Sequence, residues 1–168
     1  MARTREEVVA AAIQLEKDGQ EFYLAAAQKT SSNLAREMFQ CLAADEERHV
    51  QWINKLSSEG ATAGSANRAT YDTLRPIFAD APAETKMAAE LSADDLSAID
   101  VAVGMEEKSI AAYQEWAQED SGEDVQKLCR ALVGQEQFHK QMIENTRTYL
   151  DKTCDWFMQE EQWNFEGG

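Results

Sequence analysis

Histidine is almost missing from this chain, with only His49 and His139 in 168 residues, so any chemistry that needs imidazole must pass through those two. Cysteine is also sparse. Cys41, Cys129 and Cys154 are odd in number and no C-x-x-C joins any of them, which excludes a disulfide framework and a cysteine-built zinc or iron knuckle and fits thiols kept reduced. No apolar run is long enough for a bilayer, and the stretch from Val8 to Ile13 is cut short by Gln14 and Glu16. Neither a secretory signal nor a membrane span is therefore expected, and the cytoplasm is the default location. Positive charge is scarce too: 16 basic residues face 31 acidic ones, for a net charge of −15. That balance argues against nucleic acid and anionic membrane surfaces as partners, and makes cations the natural guests.

What the chain does have is a repeat. Glu46-Glu47-Arg48-His49 returns at an offset of 90 residues as Glu136-Gln137-Phe138-His139. The same offset carries Ala12-Ile13-Gln14-Leu15-Glu16 onto Ala102-Val103-Gly104-Met105-Glu106, and Tyr23 onto Tyr113. Leu42 with Leu132, Gln51 with Gln141, Ile53 with Ile143 and Ser31 with Ser121 keep the same register, the sparse pattern of an old duplication. On a helix, a Glu and a His three residues apart share a face and can grip one ion. Each copy is thus half of a metal site.

With 20 glutamates in the chain, both histidines would have a Glu three places before them by chance on the order of once in seventy trials. The second Glu and the Tyr in matching register make coincidence a poor account. The plain alternative, a helical repeat with two core histidines and solvated glutamates, would bury unpaired polar groups at a cost of several kcal/mol.

The length suits a single all-α domain. Thr4-Arg5-Glu6-Glu7 has capping-box spacing, and the pattern predicts a first helix over about 4–29. Ser31 and Ser32 restart the chain into a second helix ending near Ser57. Residues 58–91, with both prolines and much Gly, Ala, Ser and Thr, show no sustained helical period apart from a short stretch near 84–90. A connection of that length can run the full length of a bundle, since helices of about 26 residues span roughly 39 Å. Ser92-Ala93-Asp94-Asp95, with Leu91 and Leu96 as a hydrophobic staple, opens a third helix over about 93–119. Ser121-Gly122-Glu123-Asp124 opens a fourth, continuing to about Leu150.

In an antiparallel helix pair, residues equidistant from the turn lie at one height. Glu16 and Glu46 are equidistant from Ser31, as Glu106 and Glu136 are from Ser121. Two such hairpins related by a pseudo-twofold axis bring four carboxylates and two imidazoles to one place. Two divalent cations would neutralise the four carboxylates. Mixed oxygen and imidazole donors suit iron or manganese and accept zinc.

The segments AIQLEKDGQEFY (12–23), DEERH (45–49), VGMEEKSIAAY (103–113) and QEQFH (135–139) resemble the rubrerythrin branch of the ferritin-like di-iron carboxylate superfamily. The resemblance covers residues 4–150. It implies a ferritin-like four-helix bundle with a long crossover between the second and third helices, and two iron ions as cofactor. It further implies that Glu16 and Glu106 are terminal ligands, that Glu46 and Glu136 bridge, and that His49 and His139 each complete one metal's shell. The chain departs from full rubrerythrins in having no cysteine-ligated rubredoxin module, and in carrying Ser109, with Gly19 as its partner on the first helix, where they have a further Glu. Tyr23 and Tyr113, two helical turns beyond Glu16 and Glu106, are placed to steady ligands or relay electrons, or else to serve as ordinary core aromatics.

Residues 1–150 are accordingly read as the metal-binding bundle. Residues 151–168 are read as an acidic tail whose Trp156, Phe157, Trp163 and Phe165 pack on the bundle or on a second subunit, or are read by another protein. The expected function is that of a di-iron oxidoreductase, active under oxidative stress, that reduces peroxide or dioxygen with electrons from a separate donor, in a homodimer. Iron storage, with the site serving for uptake, is the alternative from another class, and a structural zinc bundle is a third.

Overall fold

The computed structural model describes residues 3–59, 93–119 and 122–165. Among them the regular structure is four α-helices: α1 (Arg5–Lys29), α2 (Asn33–Glu59), α3 (Ala93–Trp116) and α4 (Glu123–Phe165). None is long and apolar enough to cross a membrane. The arrangement is the expected four-helix bundle. The crossover, its short helix near 84–90, and the caps at Ser92 and Ser121 lie outside the described residues.

Local chemistry sets the ends of the helices. The Thr4 hydroxyl accepts from the Glu7 amide at 3.2 Å while the Glu7 carboxylate accepts from the Thr4 amide at 2.8 Å, a complete capping box that satisfies two orphan donors. The Ser32 hydroxyl accepts from the Ala35 amide at 3.2 Å, so the cap of α2 falls on Ser32 and not on Ser31. The Ser31 hydroxyl donates instead to Asp95 on α3, at 3.0 Å. Before α4 the chain turns through Gly122 at φ +104°, a region that glycine enters without strain. A Cβ there would lie 2.9 Å from Asp124 Oδ1.

Two ends differ from expectation. α3 stops at Trp116, three residues early, where the Gln118 and Glu119 amides turn back to the carbonyls of Glu115 and Trp116 in tighter i→i−3 bonds. α4 does not stop near Leu150; it continues to Phe165, 43 residues in all, because no proline or glycine interrupts 151–165. The boundary expected at 150 thus falls inside one continuous helix. The side chains of residues 151–165, including all four tail aromatics, are outside the described set.

α1 packs along α2 and α3 along α4. The hairpins are joined at one end by Arg5, whose guanidinium donates to Asp124 Oδ2 at 2.9 Å and to the Leu56 carbonyl at 3.2 Å, and by Arg3, which pairs with Glu119 at 2.7 Å. Ser31 and Asp95 meet at the other end, so α1 and α3 run antiparallel.

Among the described residues the apolar core falls into two clusters. One holds Tyr23, Met38, Phe39, Leu42, Ile99, Met142 and Ile143, and the other Val8, Ile53, Leu56, Tyr113, Leu128 and Leu132. The repeat exchanges them: Leu42, Ile143 and Tyr23 lie in the first, while their partners Leu132, Ile53 and Tyr113 lie in the second. That is the behaviour of a pseudo-twofold axis across the bundle. Near that axis, at mid-length, the core changes from apolar to ionisable.

Candidate metal centre

Glu16 on α1, Glu46 and His49 on α2, Glu106 on α3, and Glu136 and His139 on α4 all point inward at this level, each no more than 3% exposed. Their donor atoms form two overlapping groups. Glu16, Glu46, His49 and Glu136 offer one atom each, all within 4.8 Å of one another, and Glu46, Glu106, Glu136 and His139 do the same. Glu46 and Glu136 belong to both groups. The structure therefore brings together all six residues singled out from the sequence, in two adjoining clusters with two carboxylates in common.

Both imidazoles turn Nδ1 toward the carboxylates. His49 Nδ1 lies 2.9 Å from Glu16 Oε2, 3.2 Å from Glu46 Oε2 and 3.3 Å from Glu136 Oε1. His139 Nδ1 lies 3.2 Å from Glu136 Oε2 and 3.5 Å from Glu46 Oε1. The rings stack with centroids 5.3 Å apart.

Burial and like charge would make four adjacent carboxylates intolerable unless protons or cations intervene. Burial, reinforced by the neighbouring Glu46, holds the Glu16 carboxyl well above the ordinary carboxylate range. Burial does the same to Glu106, with Glu136 adding to it against the opposing pull of His139. At Glu46 and Glu136 burial also pushes upward, but it is outweighed: hydrogen bonds from Glu16 and the imidazoles lower Glu46, and the charge of His139 with bonds from both imidazoles lowers Glu136. His49 and His139 are raised well above the usual imidazole range, because their carboxylate partners outweigh the burial that would lower them. The shifts favour protons on Glu16, Glu106 and the two rings and charge on Glu46 and Glu136. A set protonated in that way would be neutral, and exchanging its four protons for two divalent cations would keep it so.

The residues fit a metal pair on a second count. Glu136 Oε1 is buried within the cluster and makes no well-aligned hydrogen bond, since His49 Nδ1 at 3.3 Å lies closer to Glu16 Oε2, which leaves an acceptor free for a cation.

Tyr23 and Tyr113 do not serve the glutamates of their own helices. Tyr23 donates to Glu106 Oε1 across the α1–α3 boundary, and Tyr113 donates to Glu16 Oε1 in return. Each lies about 10 Å along the axis from the Glu of its own helix, and its Cβ tilts back toward the helix N-terminus, so the hydroxyl reaches mid-bundle from the side. Burial, aided by the facing carboxylate, raises both phenols well above their usual range, keeping them as donors.

Asp45 escapes the sequence reading. It is 6% exposed, Arg48 pairs with it, and its Oδ2 lies 3.5 Å from His139 Nε2, a buried nitrogen with no hydrogen bond of its own. A carboxylate behind a ligating imidazole fixes the ring's tautomer and angle. Its only signal was adjacency to Glu46, because the repeat puts Gln135 at the matching position.

Between α1 and α3 a cavity of about 180 Å³ opens onto this cluster, with Glu16, Glu46 and Glu106 among its lining residues. Gly19 is part of that wall, and a Cβ there would sit 3.5 Å from the Glu46 carboxylate.

Residues 7–147 match the family described as Rubrerythrin. The chain belongs to the rubrerythrin family. The match spans all six clustered residues and most of all four helices; the family implies a metal site, and the chain has a buried carboxylate and imidazole cluster that could hold one. No curated protein and no solved structure matches the chain.

Proposed function

We propose that the chain is a di-iron oxidoreductase that reduces peroxide or dioxygen. The observation that supports this most is the sharing of Glu46 and Glu136 between the two donor groups, because two carboxylates common to adjacent ion positions are what a bridged pair needs. In this reading Glu16 and His49 complete one position, and Glu106 and His139 the other. Bound as a ferrous pair, the metal would supply two electrons, one from each ion, enough to cleave the O–O bond of a peroxide or to take dioxygen to peroxide.

The protein's own residues do the rest. Glu46 and Glu136 hold the ions together, while Tyr23 and Tyr113 fix the outer carboxylates from the opposite hairpin. Asp45 orients His139. The two apolar clusters on either side keep bulk water away from the cluster. A separate donor protein returns the electrons.

Anaerobic reconstitution with ferrous iron tests the reading. Two irons per chain are expected, with consumption of hydrogen peroxide or oxygen well above that of the same iron free in buffer. Consumption no faster than free iron would discard it.

A further inference from the structure

The cavity between α1 and α3 is built by the repeat. Leu15 and Met105, Glu16 and Glu106, Asp18 and Lys108, and Gly19 and Ser109 are four pairs at the 90-residue offset, and all eight residues line it. It therefore lies between matching faces of α1 and α3, with Glu16 of one donor group, Glu106 of the other and Glu46 of both in its lining. Its floor is carboxylate, from Glu16, Glu46 and Glu106, and its walls include the apolar Leu15 and Met105. Asp18 and Lys108 oppose each other in charge across it.

Gly19 and Ser109 are the small residues of its lining. Glycine inside a helix costs about 1 kcal/mol relative to alanine, and here a methyl group would meet the Glu46 carboxylate only at ordinary contact distance, 3.5 Å. Steric exclusion of a Cβ does not explain the residue; open space above the cluster does. The volume, about 180 Å³, exceeds the roughly 150 Å³ that accommodates a benzene ring in a protein interior. Hydrogen peroxide, with two heavy atoms, would leave most of it empty.

We propose that this cavity is the substrate site for a neutral organic hydroperoxide. The hydrocarbon group lies between Leu15 and Met105, and the O–O group is directed to the carboxylate floor. The proposal rests on the peroxide-reducing reading above. The O–O bond is cleaved with two electrons from the ferrous pair and two protons from solvent, giving an alcohol and water. A neutral substrate follows from charge: Asp18 and Lys108 offset each other, and a chain of net charge −15 repels anions. Gly19 and Ser109 set the size of group admitted.

Two measurements decide it. Zinc-loaded protein, which cannot cycle, is titrated with cumyl alcohol, the product of cumene hydroperoxide, by NMR. Saturable binding is expected in the wild type, weakened at least tenfold in Gly19→Leu and in Ser109→Leu, with zinc content retained in at least one of them. Absent binding, or binding unchanged in a zinc-retaining variant, overturns the proposal. Iron-loaded wild type should then show a kcat/KM for cumene hydroperoxide at least equal to that for hydrogen peroxide, and the ratio should fall more than tenfold in the variants. Turnover of hydrogen peroxide alone defeats the organic substrate and leaves the peroxidase standing; turnover of neither defeats both.

Discussion

The six clustered side chains are not equivalent, and stoichiometry should reveal it. Glu46 and Glu136 belong to both donor groups, whereas Glu16 belongs to one. Glu46→Ala is expected to retain almost no metal, and Glu16→Ala about one ion per chain, as read by elemental analysis with unchanged helical circular dichroism. His139→Ala should likewise keep its fold and lose metal. Asp45 acts through His139, so Asp45→Ala should weaken metal binding by about 10–100-fold in a chelator competition without changing the number of ions bound at saturation. Tyr113→Phe strips Glu16 Oε1 of its donor, and should cost the metal-free protein about 1–3 kcal/mol in urea unfolding.

At the scale of helices, the parts visible in the sequence were those with a local chemical signal. Thr4 and Glu7 announce the start of α1, and Thr4→Ala should cost about 1 kcal/mol. Gly122 announces the turn into α4 less plainly, because what requires glycine there, its positive φ and the nearness of Asp124 Oδ1, shows only in the fold; Gly122→Ala should cost about 1 kcal/mol or more by the same unfolding assay. The glutamates and histidines were legible because a duplication repeated them in register. Asp45 was not, since its repeat partner is Gln135 and only the fold shows that it backs His139. The tyrosines were legible as neighbours of the site, but not as cross-links between hairpins, which depend on α1 and α3 running antiparallel at close range. The end of α4 was not legible, because the sequence carries no proline or glycine between 151 and 165 to mark a stop and the helix runs on to Phe165.

For the molecule as a whole, the ionisable layer should govern stability against pH. His49 and His139 bind protons more tightly in the folded protein, so their stabilisation is complete below their ordinary value of 6.5 and drains away as pH rises through the folded value. Glu16 and Glu106 act in the same direction: above pH 4.5 the unfolded chain sheds their protons and folding must restore them. Glu46 and Glu136, lowered on folding, oppose this only as pH falls below that value. Metal-free protein should therefore melt at progressively lower temperature from pH 6 to pH 9. Metal-loaded protein should show the reverse over the lower part of that range, because cations must displace those protons. Scanning calorimetry of both forms checks the crossing trends.

Each donor group draws three of its four residues from one hairpin and the fourth from the other, Glu136 in one case and Glu46 in the other. Neither hairpin can close a coordination shell unaided. Ions bound there would act as rivets through two plates, fastening one half of the duplicated chain to the other, and stripping them would leave the seam to apolar packing, the two tyrosines and the arginine and serine contacts at its ends.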